Sequence, residues 1–259
     1  MAKVSNTKKK KQEEDEHRIL VLAAAILKKI YKEYVIDEKQ KDKPDKAIFL
    51  LKPPARFGKR KINPPKIGIE ITTADPSGYL SYINERKSDK EIIQAQREQA
   101  LEKGIAPDKP LKKVGNLIFH DWIYEGIKDK AKKYLGYTTA GNFDELILLC
   151  HSDVISITNK EFYDGLNDWT DYLLSKNNYP FDKVLFVGAD NKTIQIYNKT
   201  KKRIIEPDPY SYQGNVITTT QFGMIPVGVT WNFKETANAD PIIEPQTPIV
   251  DRGEPPSSP

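Results

Sequence analysis

The chain has 259 residues, 38% of them hydrophobic and 30% charged, with a formal net charge of +5, which is length enough for one large domain or two small ones with a buried core. Its longest unbroken apolar run, Ile19 to Leu27, falls far short of the roughly 20 residues that span a bilayer, and the basic N-terminus runs into acids instead of an apolar stretch, so neither a membrane segment nor a secretory signal is expected and a cytoplasmic location follows. A single cysteine, Cys150, excludes an intramolecular disulfide or a Cys-rich metal site, and the three histidines form no His-x-x-x-His pair, so any metal must be held by carboxylates.

Charge is segregated along the chain. Residues 1–11 hold a lysine run and read as a basic flexible arm, a solvated segment or a nucleic-acid contact. Acids crowd residues 12–16, and the body that follows is net basic. From Gln12 to about Tyr34, apolar residues recur at helical spacing through Leu20, Leu27 and Tyr34, which predicts one long amphipathic helix. After Pro44, Ala47–Leu51 reads as a strand, and Ile67–Thr72 as a second with strict alternation; a Pro-rich stretch between them makes a long-looped hairpin. Residues 89–103 are polar but helical in propensity. Helical spacing from Leu117 to Leu135 predicts a second core helix carrying Ile123, Ile127, Lys130 or Ala131, and Tyr134. A buried strand at Leu146–Cys150, a helix near Lys160–Ser175, and strands at Lys183–Val187 and Thr193–Tyr197 complete a mixed α/β domain over residues 12–200. Residues 201–239 are a β-type extension, and the Pro-rich residues 240–259 a disordered tail.

No Walker loop, dinucleotide fingerprint, nucleophile elbow or His-Glu-x-x-His occurs. What remains is acids in unusual places. On the strand 67–72 the isoleucines share one face, which puts Gly68, Glu70 and Thr72 on the other, toward water or toward a site. Asp45 opens the neighbouring strand, where pairing brings its carboxylate beside Glu70. Glu16 lies on the apolar stripe of the first helix and faces inward, although an acidic first turn also serves a helix N-terminus without further purpose. Three such carboxylates at about 5 Å would repel by roughly 3 kcal/mol per pair at an effective dielectric near 20. Protonation or a cation must relieve that repulsion, and oxygen ligands with water suit Mg2+ or Mn2+.

A helix with an acid, then Pro-Asp opening a strand, then Ile-Gly-Ile-Glu-Ile-Thr in its hairpin partner resembles the PD-(D/E)XK nuclease superfamily, particularly members whose second strand reads Gly-Ile-Glu-Ile-Thr. The pieces that follow, Ile123 to Tyr134, Leu146–Leu149 and Phe181 to Phe186, extend the likeness over residues 12–198. The resemblance implies a restriction-endonuclease-like α/β core, a mixed sheet with a β-hairpin flanked by helices. It also implies a nuclease, with Asp45 and Glu70 as ligands of Mg2+ (or Mn2+) and Glu16 as the helix acid. The family pattern wants a lysine two residues after the strand acid, and here that residue is Thr72. Its absence signals either an inactive binding or assembly protein, or a migrated lysine, for which Lys130 is the best substitute; Lys130 on an apolar stripe either meets an anion or snorkels to the surface.

The hairpin loop carries Lys52, Arg56, Lys59, Arg60, Lys61 and Lys66 with Phe57 among them and no acid. Such a loop is either solvated or a nucleic-acid arm in which the cations meet phosphates and Phe57 wedges or stacks. The partner expected is nucleic acid, DNA ahead of RNA, with no membrane and with homodimerisation left open.

Overall fold

Regular alternation and helical spacing both survive in three dimensions, with the breaks where backbone chemistry forces them. The computed structural model describes residues 2–40, 42–58, 63–83, 89–160, 162–209, 215–223 and 225–244. In chain order the helices are α1 (Ala2–Leu22), α2 (Ala24–Tyr31), α3 (Ser77–Ile83), α4 (Lys90–Lys103), α5 (Trp122–Ile127), α6 (Lys130–Ala140), α7 (Asn167–Lys176) and α8 (Phe233–Asn238). The strands are β1 (Tyr34–Ile36), β2 (Lys46–Leu50), β3 (Lys66–Thr73), β4 (Lys112–Ile118), β5 (Glu145–His151), β6 (Lys183–Val187), β7 (Thr193–Asn198) and β8 (Asn215–Gln221). The chain divides into two units, residues 1–75 with 119–213, and residues 76–118 with 214–259. The expected continuous stretch 12–200 is thus interrupted in sequence by 76–118.

The first unit is built on a six-stranded mixed sheet in the order β1-β2-β3-β5-β6-β7, flanked by helices. β1, β2 and β3 are antiparallel neighbours, β3, β5 and β6 run parallel, and β7 returns antiparallel to β6. The hairpin expected from sequence is β2–β3. On one face Ile67, Ile69 and Ile71 of β3 join Ile147, Leu149, Leu185 and Val187 under Ile19, Leu20, Ala23, Leu27 and Tyr31 of the N-terminal helices. Each fully buried Ile or Leu of this layer contributes about 1.5–3 kcal/mol.

The predicted helix over 12–34 differs at both ends. Its backbone is helical from Ala2, through the lysine stretch expected as an arm, because lysine is itself a good helix former. At the other end Lys32 takes φ +63° while its N–H still bonds to Lys28 O, which stops the helix and turns Tyr34–Ile36 into an edge strand. The helix expected over 117–135 is three elements: Leu117 belongs to β4, and α5 and α6 follow with a break at Lys128–Asp129. α5 approaches the sheet where Gly126 lies against the backbone of Ala74, so close that a Cβ would stand 2.1 Å from the Ala74 carbonyl oxygen.

In the second unit β4 and β8 form an antiparallel pair, from Lys112 opposite Gln221 to Ile118 opposite Asn215. Its interior holds a fully desolvated ion pair, Lys112 Nζ to Asp89 Oδ2 at 2.6 Å. Of residues 240–259, expected as a disordered tail, Ile242 and Ile243 donate their N–H groups to the Pro110 and Leu111 carbonyls at 2.9 Å, and 245–259 lie outside the described residues. No helix among the described residues is long and apolar enough to cross a membrane.

Candidate active site

Three strands and one helix converge to position the carboxylates. The β2–β3 register runs from Phe49 opposite Lys66 to Lys46 opposite Ile69, and one step further sets Asp45 against Glu70. Gly68 permits this closeness, because a Cβ there would stand 2.5 Å from Leu146 Cδ2 and 2.8 Å from Pro44 Cγ. Just past the end of the ladder, Asp45 Oδ2 accepts the Ile71 backbone N–H at 2.8 Å, which fixes the carboxylate's direction.

Glu70 is only 5% exposed. Its Oε1 accepts two hydrogen bonds from α6, from Lys130 Nζ at 2.6 Å and from the Tyr137 hydroxyl at 2.7 Å. The two donors sit seven residues apart, two helical turns, and so share one face of α6. Among the described residues no donor meets Oε2 of Glu70 or Oδ1 of Asp45. Both acids line an open cleft of about 650 Å³ whose wall also includes Lys43, Lys132, Lys133 and Tyr137.

This arrangement leaves negative charge undercompensated. Burial, then the charge of Glu70, with Glu16 adding more, push the Asp45 carboxyl from its ordinary 3.8 up to about 7; the Ile71 N–H and Lys130 pull the other way. Burial and the bond to Glu70 push the Tyr137 hydroxyl far above its ordinary value, so it remains a hydrogen-bond donor at every working pH.

The donor chemistry suits a small divalent cation. Two carboxylates line one water-accessible cleft and each keeps an oxygen that no described donor meets, the pattern of magnesium sites that use one or two carboxylates and complete their shell with water and substrate. Asp42 lines the same cleft, and among the described residues no group of three or more His, Cys, Asp or Glu side chains converges closely enough to hold one ion.

Glu16 is half-buried on the inner side of α1, but it faces a separate recess of about 360 Å³ with Asp15, Ile71, Thr72 and His151. There it takes a hydrogen bond from Gln12 at 2.8 Å and pairs with Lys46 at 3.6 Å. It therefore reaches Asp45 through its field and not through a shared ligand position. Thr72 lines the same recess, away from the cleft of Glu70.

In the hairpin loop the described cations have acidic partners. Lys52 pairs with Glu33 at 2.5 Å, Arg56 Nε with Glu145 at 2.9 Å, and Lys66 with Asp37 at 2.9 Å. Phe57 packs against the apolar core with the Arg56 guanidinium 4.7 Å from its ring. Glu145 also accepts from Lys183 and from the Tyr31 hydroxyl, both at 2.6 Å. Burial alone raises the Glu145 carboxyl, yet the bonds from Arg56, Lys183 and Tyr31 outweigh it and hold the group below its ordinary value. Lys59, Arg60 and Lys61 lie outside the described residues.

Sequence reasoning missed Tyr137. The signal was its place on the stripe that already held Lys130 and Tyr134, hidden because the helix was read as ending at Leu135. No family model, curated protein or solved structure matches the chain.

Proposed function

We propose that the first unit is a restriction-endonuclease-like core and that the protein is a Mg2+- or Mn2+-dependent nuclease of the PD-(D/E)XK type, acting on the phosphodiester bonds of DNA or RNA. The observation that carries this reading is the pairing of Asp45 and Glu70 on one cleft, each with one oxygen that no described donor meets, and with an ammonium group on Oε1 of Glu70. Asp45 and Glu70 would hold the cation between strands β2 and β3. The bound cation supplies polarisation of the phosphate and a more acidic water. Lys130 supplies the positive charge that the motif lysine gives elsewhere, where Thr72 cannot, and offsets charge that develops on the phosphate as water adds and the 3′ or 5′ oxygen leaves. Tyr137 keeps the Glu70 carboxylate in one orientation. Glu16 acts at longer range, by keeping the site electronegative.

The test is cleavage of linear, supercoiled and single-stranded DNA and of RNA with Mg2+, Mn2+ or chelator. Cutting that needs metal and falls by about 100-fold or more in Asp45→Asn and in Glu70→Gln is the expected result. A wild-type protein that cuts none of these substrates in either metal overturns the reading.

A second reading, a nucleic-acid-binding or assembly protein on the same core without cleavage, draws on Thr72 in the motif position. It predicts salt-sensitive binding with no metal-dependent cutting.

A further inference from the structure

Lys130 holds Glu70 by the oxygen that neighbours the one left free, in a contact of 2.6 Å, with its own side chain 20% exposed. A buried carboxylate in contact with an ammonium group has part of its charge already neutralised, so a cation that binds there must compete with the ammonium for the same group. The helix makes such competition workable. Lys130 is the first residue of α6, at the end of the α5–α6 break, and its long side chain has other positions to occupy. Tyr137, in the middle of the helix and 4% exposed, stays as the fixed donor to Oε1, so Glu70 is not left bare when the ammonium departs. Among the described residues Glu70 is the direct contact of the Lys130 ammonium, which also acts on Asp45 through its charge.

Resting on the proposed metal-dependent reading, we propose that Lys130 is a tethered counter-cation that regulates the site: it closes Glu70 while the metal is absent, and it is released toward the cleft when a divalent cation takes over the carboxylate. The lysine that meets the phosphate is then available only in the metal-loaded protein, so metal binding precedes productive binding of the phosphodiester. Because the coupling is reciprocal, a phosphate group that captures the freed ammonium tightens metal binding by the same factor that metal tightens phosphate binding.

Two measurements on the full chain test this. The first is Mn2+ titration followed by electron paramagnetic resonance, for wild type, Lys130→Met and Lys130→Gln. Loss of the competitor tightens Mn2+ binding, by about tenfold if the coupling is of usual size. The second is acylation of lysines by a succinimidyl ester, read by peptide mass spectrometry with and without Mg2+. Lys130 labelling rises with the metal while exposed Lys28 and Lys29, away from the cleft, serve as internal references.

Tighter Mn2+ binding in the variants together with metal-enhanced labelling supports the device. Mn2+ binding that is unchanged or weaker in folded variants overturns it and leaves the metal site standing. Tighter binding with unaltered labelling also overturns it, since the lysine then acts by repulsion through space without leaving Glu70. A wild-type protein that binds no Mn2+ overturns the metal reading itself, and the device with it.

Discussion

The Tyr137 hydroxyl donates to Glu70 Oε1 at 2.7 Å, from a buried position two turns along α6 from Lys130. A hydrogen bond to a charged group is worth about 1.5–3 kcal/mol. Tyr137→Phe keeps the ring against Phe181, 6.0 Å away, and removes only this bond. The variant should lose about 2 kcal/mol in urea unfolding. Groups that orient a metal ligand typically cost 10–100-fold in affinity when removed, so its Mn2+ affinity should fall by about tenfold. A variant with wild-type stability and wild-type Mn2+ affinity would show that Glu70 is oriented by other contacts.

Asp45 sets a pH dependence opposite to that of a paired surface acid. Its folded-state value, about 7, lies above the ordinary 3.8 of an unfolded chain, so the folded state binds the proton more tightly. The stabilisation is fully present below about pH 4 and is lost as the pH rises toward 7 and beyond. In chelator, the melting temperature should therefore fall between pH 5 and 8, and Asp45→Asn, which carries no charge, should flatten that slope. Mg2+ should raise the melting temperature most at pH 8, where no proton competes for the carboxylate. Equal slopes in the two proteins would remove Asp45 as the cause.

What could be read from the chain was whatever repeats locally. The alternation of Ile67, Ile69 and Ile71 placed β3 and the opposite orientation of Glu70, and Pro44 placed Asp45 at the head of the partner strand. The apolar stripe leaves Lys130 with either an anion or the surface, and only the fold sets it on Glu70. Long-range pairing was not legible. The acids that occupy Lys52, Arg56 and Lys66 are Glu33, Glu145 and Asp37, between 19 and 89 positions away, and nothing in the loop itself announces them. The same holds for β4, whose partner β8 lies about a hundred residues on; only its last two residues, Leu117 and Ile118, fall in the helix expected over 117–135. Glu16 shows the limit of a helical stripe: the stripe turns it inward, but does not say that Lys46 and a separate recess await it.

Those pairings give Lys52, Arg56 and Lys66 a structural use of their own, which predicts a split between stability and binding. Arg56 joins Lys183 and Tyr31 around Glu145, and breaking a partly buried ionic cluster on one side is costly because the other charges stay behind. Arg56→Gln should lower unfolding stability by about 1–2 kcal/mol. It should leave the salt dependence of duplex binding unaltered, whereas loss of a true phosphate contact would flatten the log–log slope by about 0.9. Glu145 adds a pH signature. Its carboxyl lies below the ordinary 4.5, so its stabilisation is present above that pH and is lost as the pH falls through the lowered folded value. An Arg56→Gln protein with full stability and a flattened salt slope would return Arg56 to the nucleic-acid surface.

Gly126 bears on the site through position and not through charge. A Cβ there would meet the Ala74 carbonyl oxygen at 2.1 Å and its carbonyl carbon at 2.6 Å, both backbone atoms that no rotamer change can move aside. Gly126→Ala must therefore push α5 off the end of β3, a kind of overpacking that usually costs about 1–3 kcal/mol. Because α6 follows α5 after two residues, the shift carries Lys130 and Tyr137 away from Glu70 as well. The expected outcome is a lower melting temperature together with weaker Mn2+ binding in a protein that keeps Asp45, Glu70, Lys130 and Tyr137 unchanged. If melting falls while Mn2+ binding stays at the wild-type level, α6 is held on Glu70 by its own packing, through Tyr134 and Tyr137 on Phe181, and α5 does not set its position.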